Sequence, residues 1–490
     1  MLSGAGPVVR ARTAQATQFY GIPPARDRRY SHVMNRSKPA AGAPSDNRLA
    51  LMDQAFYAGH RAAGQKEVMQ VAFIYERKID LDQLRRFHQN LAYGLLGRRI
   101  ERSPLPFGRY RWVSDTQPSP LDIAECARPR ADLADWLDER SQLHIDPESG
   151  PGWRLSVVPF ADGSTAVTLV ISHYVVDGIG AVIATALASM GQTIDLGYPP
   201  PRSRTRLHAL VQDAAEAARD APAVTRALVA AVKESRRRQQ DTTRPQAARP
   251  GAPASGSDGP ASVPGIWLRI NLEQWNARAE ALGGTNSTLA VALTAKLDER
   301  MGRQHGDADN VTMMLLVNDR TEGDMRAVAV SFANVSVDPT AVTTDLQGTR
   351  AAVKQALTKL RETADESTQL VPLTPFTPKR VWRQLVDYAL DDPEHPAVCS
   401  NLGDTGPAVI RADGNLCDFA FARGTSQHMT QRWLERMGSQ LHLYFGTIAE
   451  LNQVAIQIRA YHPGVVTTKL ALSELVTRTL AEFDLAGEIY

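Results

Sequence analysis

Cysteine is scarce in this chain: three in 490 residues, Cys126, Cys399 and Cys417. They stand far apart without metal-ligand spacing, which argues against a disulfide scaffold and a zinc site, so no metal is expected. The expectation is three small buried residues in a reducing cytoplasm. Long apolar runs are missing too. None reaches the roughly eighteen residues that a membrane-spanning helix needs. Charge of one sign is also lacking. The formal net charge is +2, so bulk electrostatics indicate neither nucleic acid nor an anionic membrane as partner. Residues 1–46 are rich in Arg, Ala, Pro and Ser and hold no apolar h-region. They are expected to form a loosely ordered basic arm and not a secretory leader.

Against these absences stands one stretch, Ile171-Ser172-His173-Tyr174-Val175-Val176-Asp177-Gly178. The residues before it, Thr165 to Val170, are β-branched and apolar enough for a buried strand. That strand stops at Ser172-His173, so a scaffold can hold the imidazole rigidly at its end. Asp177-Gly178 then turns the chain into Ile179 to Ala184, the start of a packed helix. A neutral imidazole is the usual base for taking a proton from a hydroxyl or amine near neutral pH. No serine or cysteine nucleophile motif accompanies His173, which points to a base acting directly on a bound substrate. The plainer alternative is a core histidine that happens to precede an Asp-Gly turn.

This stretch resembles the acyltransferase superfamily whose signature is His-His-x-x-x-Asp-Gly. The superfamily includes peptide-synthetase condensation domains, polyketide-associated acyltransferases, chloramphenicol acetyltransferase and bacterial wax ester synthase/diacylglycerol acyltransferases. The wax ester synthase branch is the one the chain resembles most. Gly150-Pro151-Gly152-Trp153-Arg154-Leu155 leads through Ser156 to Pro159 into the motif, as in that branch. Leu49 to Phe56 is similar to its opening Leu-x-x-x-Asp-x-x-Phe helix. Gly283 to Leu293 resembles its Gly-x-Thr-x-Asn-Asp segment, with Asn286 matching and Ser287 replacing the Asp. Val398-Cys399-Ser400-Asn401-Leu402-Gly403 is similar to its Ser-Asn-x-Pro-Gly segment without the proline. Ser172 stands where the superfamily has its first histidine.

The resemblance implies an α/β (α+β) fold of two chloramphenicol acetyltransferase-like lobes, each a mixed sheet flanked by helices, with a channel between them. It makes His173 the catalytic base. Asp177 would be a structural residue paired with Arg320, which ends the apolar run Val311 to Val317, and Gly178 would leave room beside the channel. Ser172, Asn286, Ser400 and Asn401 are candidates for contacting substrate or an oxyanion. Backbone hydrogen bonding in turns is the commoner use of such residues. No cofactor is expected to stay bound. The co-substrate would be acyl-CoA or a phosphopantetheinyl carrier thioester, and the partners a small acyl donor and acceptor, or an acyl or peptidyl carrier protein. The implied activity is ester or amide formation in lipid or natural-product metabolism. The alternatives are a stand-alone condensation enzyme with a carrier-bound donor and a catalytically silent binding member of the fold. Cytoplasmic location follows, with a peripheral membrane or lipid contact left open.

The rest of the chain divides into residues 47–205, a first lobe carrying the motif; 206–264, a connector; and 265–490, a second lobe. Asp80 is expected to cap a helix whose apolar face holds Leu84, Phe87, His88 and Leu91, with His88 a packed core residue. In the connector, Leu207 to Ser235 is helical and interrupted at Pro222, ending in Arg236-Arg237-Arg238. Asp241 to Pro264 collapses to Pro, Gly, Ala, Ser and Arg and reads as a flexible crossing.

Overall fold

The structure, a computed structural model, describes residues 46–240, 257–303, 310–321, 323–362, 366–390 and 395–490. The basic arm expected over residues 1–45 and most of the crossing, residues 241–256, lie outside the described residues.

The first lobe opens with α1 (Leu51–Ala63) and β1 (Lys66–Tyr75). The helix α2 (Leu81–Leu91) follows, with the Asp80 carboxylate accepting from the amides of Asp82 and Gln83, as N-cap residues do. Leu84, Phe87 and Leu91 on α2 are buried, and His88 packs edge-on against Trp153 at 5.4 Å. Burial pushes the His88 imidazole below its ordinary pKa, the behaviour of a core histidine. Next come the ribbon of β2 (Arg98–Glu101) and β3 (Arg111–Ser114), the short β4 (Asp122–Ile123) and α3 (Leu133–Ser141). The strands β5 (Trp153–Pro159) and β6 (Thr165–Ser172) then lead into α4 (Gly178–Ser189). All eight residues of β6 are buried, because it lies inside the sheet, paired antiparallel with β1 on one side and β5 on the other.

The helix α5 (Arg206–Gln240) runs unbroken through Pro222, contrary to the interruption expected there. Pro222 and Ala218, one turn earlier, are both exposed. Water can therefore serve the Ala218 carbonyl that the missing proline N–H leaves free. Arg111 and Arg204 hold the buried Asp213 of this helix, which pins its first half to the first lobe.

The second lobe contains β7 (Gly265–Asn271), α6 (Leu272–Ala281), α7 (Asn286–Met301), β8 (Val311–Asn318), β9 (Val330–Val337), α8 (Gln347–Glu362) and α9 (Lys379–Leu390). After these come β10 (Ala397–Asp404), β11 (Phe419–Gln427), α10 (Gln431–Met437), β12 (Gln440–Ile448), β13 (Gln453–Tyr461), α11 (Lys469–Glu482) and β14 (Glu488–Ile489). Seven of these strands form one mixed sheet, in the order β14-β7-β13-β12-β10-β8-β9. Helix α7 is buried against it from Thr288 to Asp298.

The exception is β11, which crosses over and pairs with β1, Val68 opposite Thr425 and Phe73 opposite Ala420. The first sheet therefore reads β11-β1-β6-β5-β4 and is also mixed, since β4 and β5 run parallel. Each sheet has its own apolar core, that of the first lobe completed by Ile410, Ala412, Cys417, Ala420 and Ile448 from later in the chain. Cys399 and Cys417 are buried, but Cys126 is exposed, contrary to the expectation of three buried thiols. It sits in the irregular segment after β4, outside both cores. Among the described residues no helix is long and apolar enough to cross a membrane.

Candidate active site

The site is built where β6 ends. The amide of Ser172 donates to the Gly152 carbonyl at 2.9 Å, and the amide of His173 donates to the Glu67 carbonyl at 3.0 Å. Tyr174 returns to the same strand edge: its hydroxyl accepts from the Glu67 amide at 2.9 Å and donates to the Gln65 carbonyl at 3.3 Å. His173 is thereby fixed through its own amide and through the next side chain. Its ring, half-buried, meets Phe56 of α1 edge-on at 5.4 Å.

Burial is the main influence on the His173 imidazole and lowers its pKa below the ordinary value. Its own backbone and the charges of Asp177 and Glu67 pull back only part of that shift. The ring is therefore neutral at pH 7. Nδ1 is buried and has no hydrogen-bond partner on another residue. No carboxylate holds that nitrogen, so the arrangement differs from a nucleophile–His–carboxylate triad.

Asp177 faces away, into the structure. One carboxylate oxygen accepts from the Gly180 amide at 2.8 Å and caps α4. The other accepts from the Ala329 amide at 2.8 Å and from Arg320 Nη2 at 2.7 Å. Both partners of this pair are almost wholly buried, at 4% and 3% side-chain exposure. Arg320 Nη1 donates to the carbonyls of Asp324 and Arg326, at 2.9 Å each, so the guanidinium also shapes the loop between β8 and β9. Gly178 sits against the second lobe. A Cβ there would lie 2.8 Å from Leu402 Cδ2, so the close approach of β10 to the start of α4 requires glycine or a shift of Leu402.

The remaining candidates fall on the second lobe. Asn286 is the first residue of α7, with Thr285 forming the capping box with Thr288. The Asn286 carbonyl accepts from Trp275 Nε1 at 3.4 Å. Asn401 donates through Nδ2 to Ser287 Oγ at 2.9 Å and accepts the Gly403 amide at 2.6 Å. It thus ties the end of β10 to the start of α7. Ser400 is buried in β10, between Leu316 of β8 and Tyr444 of β12. Ser172 is also buried, and its Oγ has no hydrogen-bond partner. With Tyr174 it lines a cavity whose walls do not include His173.

Two residues without an assigned role in the sequence reading join the site's frame. Asp53 of α1 is buried and accepts from the amides of Ala327 and Val328 at 2.8 and 2.9 Å. Arg98 is fully buried over the Trp112 ring and donates to the carbonyls of Met325 and Val175 at 2.6 and 2.8 Å. The loop from Arg320 to Ala329 is therefore gripped by three first-lobe side chains, Asp53, Arg98 and Asp177. Asp53 lies in the opening Leu-x-x-x-Asp-x-x-Phe pattern, and that spacing was the available signal. Arg98 had none.

No protein-family profile and no curated protein matches the chain. Solved structures do. The wax ester synthase/diacylglycerol acyltransferase from Marinobacter aquaeolei VT8 superposes with a TM-score of 0.51 at 16% identity, over 89% of this chain and 98% of that one. Polyketide synthase associated protein 5 from Mycobacterium tuberculosis gives 0.50 at 14%, over 89% and 98%. The first condensation domain of the calcium-dependent antibiotic synthetase, in complex with a substrate analogue, gives 0.52 at 14%, over 91% and 100%. The chain has the two-lobed fold of these acyltransferase and condensation structures, and the likeness is one of fold.

Proposed function

We propose that the chain is an acyltransferase that moves an acyl group from a thioester directly to a hydroxyl or amine, with His173 as general base. The observation that carries this reading is the His173 ring itself: neutral, fixed at a strand end, and without a carboxylate on its buried Nδ1. In this reading Nδ1 carries the ring proton and Nε2 presents the free lone pair to the acceptor. Nε2 takes the acceptor's proton as the acceptor oxygen or nitrogen bonds to the thioester carbonyl carbon. The tetrahedral intermediate then collapses, the carbon–sulfur bond breaks, and the imidazolium returns its proton to the departing thiolate. The products are an ester or amide and a free thiol, and no acyl-enzyme forms.

The developing oxyanion calls for hydrogen-bond donors. Asn401 Nδ2 already donates to Ser287 Oγ, and in this reading Ser400, Asn286 or backbone N–H groups supply the donors. Asp177, Arg320 and Gly178 hold the motif in place and do not touch the reacting atoms.

The test is to supply one acyl group on free coenzyme A and on a phosphopantetheinyl carrier protein, with mixed alcohol and amine acceptors. Thiol release and product mass are followed. Turnover on either donor that disappears in His173→Ala supports the proposal, and the preferred donor separates a coenzyme A enzyme from a carrier-dependent condensation enzyme. Turnover unaffected by His173→Ala would overturn it.

A further inference from the structure

The outer face of α5 is apolar and exposed. Leu207, Val211, Leu228 and Val232 are between 52% and 72% exposed, while the opposite face of the helix buries Ala209, Asp213 and Ala227. Between the two aliphatic ends, on the same outer face, lie Ala214, Ala218, Ala221 and Thr225, all exposed. Along these eight positions the steps alternate strictly between four residues and three. That is a 3.5-residue repeat, the spacing of a coiled-coil seam, whereas the apolar stripe of a helix lying on a core drifts at 3.6. The stretch from Leu207 to Val232 covers 26 residues, within the three to four heptads at which such a repeat signals helix pairing. No charge falls on the seam. Its one hydroxyl, on Thr225, already donates to the Ala221 carbonyl at 2.9 Å. Pro222 falls beside the seam, so the Ala218 carbonyl keeps its water.

The order of sizes along the seam identifies the partner. From either end it reads two large aliphatic residues, four small ones, then two large. A second copy turned end for end sets Leu207 against Val232, Val211 against Leu228, Ala214 against Thr225 and Ala218 against Ala221. The seam is thus complementary to itself about a two-fold axis, as an isologous interface must be. Small residues at its centre let two helix axes approach closely. We infer that the chain forms an antiparallel dimer by pairing α5 with α5 of a second copy. The crossing that follows the helix cannot fill the seam, because residues 241–256 contain no Val, Leu, Ile, Met or aromatic residue. Exposed cations, Arg206, Arg219, Arg226 and Lys233, flank the seam, and an anionic membrane would also suit them. Half of the seam is alanine or threonine and none of it is aromatic, however, which leaves little to insert into lipid.

The inference is independent of the role proposed for His173, and association is its readout. Sedimentation velocity of the full chain from about 1 to 100 μM, where micromolar Kd values are read, should show a monomer–dimer equilibrium. Val211→Lys carries an unpaired charge into the seam and should weaken dimerisation at least about tenfold. The double variant Val211→Lys/Leu228→Glu sets lysine against glutamate at both ends of an antiparallel pair and should recover most of the loss. Both positions are exposed in the monomer, so the fold is retained, which circular dichroism verifies. Added salt should leave the dimer intact or tighten it, because the flanking charges are all cations; adhesion to anionic vesicles would instead weaken. A monomer at every concentration, a dimer indifferent to Val211→Lys, or a loss that Leu228→Glu does not repair overturns the inference. So does a monomer that binds phosphatidylglycerol vesicles and loses that binding in Val211→Glu.

Discussion

His173 stays neutral chiefly because its ring is buried, and the nearby carboxylates restore only part of the lost basicity. In the proposed role as general base, an imidazole tuned in this way gives a defined pH profile. The transfer rate should rise about tenfold per unit below the His173 pKa and level off above it, with the midpoint under the ordinary 6.5. A profile of kcat/KM against pH reads this directly, and a midpoint above 6.5 would contradict it. The neighbouring serine carries a second consequence. With no acyl-enzyme in the scheme, intact-mass spectra of quenched turnover mixtures should show unmodified protein. An acyl adduct that disappears in Ser172→Ala would make Ser172 a nucleophile and His173 its activator.

At the scale of elements, the loop between β8 and β9 is the piece that joins motif to second lobe. Asp177 and Arg320 form its central pair, buried on both sides. Removing one member of such a pair typically costs about 3–5 kcal/mol, because the other charge stays buried alone. Asp177→Asn and Arg320→Ala should each lower the denaturant midpoint, and together they should lose much less than the sum of the two. Strict additivity in that double-mutant cycle would contradict direct coupling. Arg320 could be found in the sequence because the family resemblance implies an arginine at a strand end, and Arg320 follows the short apolar run Val311 to Val317. Asp53 and Arg98 grip the same loop through backbone amides and carbonyls. Such partners leave no side-chain pattern to read. The helix across Pro222 was hidden for a related reason: whether a proline breaks a helix depends on solvent reaching the freed carbonyl.

At the scale of the molecule, the loop grip and the crossing strand β11 are among the contacts that hold the lobes together. The strand character of residues 419–427 is local, but the choice of sheet is made by packing far along the chain, and for that reason it was not legible. Asp53→Ala tests the grip. It leaves two buried amides, Ala327 and Val328, without acceptors, at about 1–3 kcal/mol each, and a loss of that order in chemical denaturation is expected. Acid should loosen the second lobe as well. Burial, aided by Arg459 and Arg303, pushes the His442 imidazole down to about 3. The unfolded chain therefore binds a proton near 6.5 that the folded chain refuses, so stability falls as pH drops from 6.5 towards 3. His442→Phe should flatten that part of the melting profile, and an unchanged slope would count against it. The proposed function rests on one imidazole. The most direct test of the account is therefore the single-turnover rate of acyl transfer in His173→Ala, measured with a donor thioester that the wild type accepts. The account predicts a fall of roughly 10²–10⁴-fold with donor binding retained, whereas a rate equal to the wild type's would contradict it.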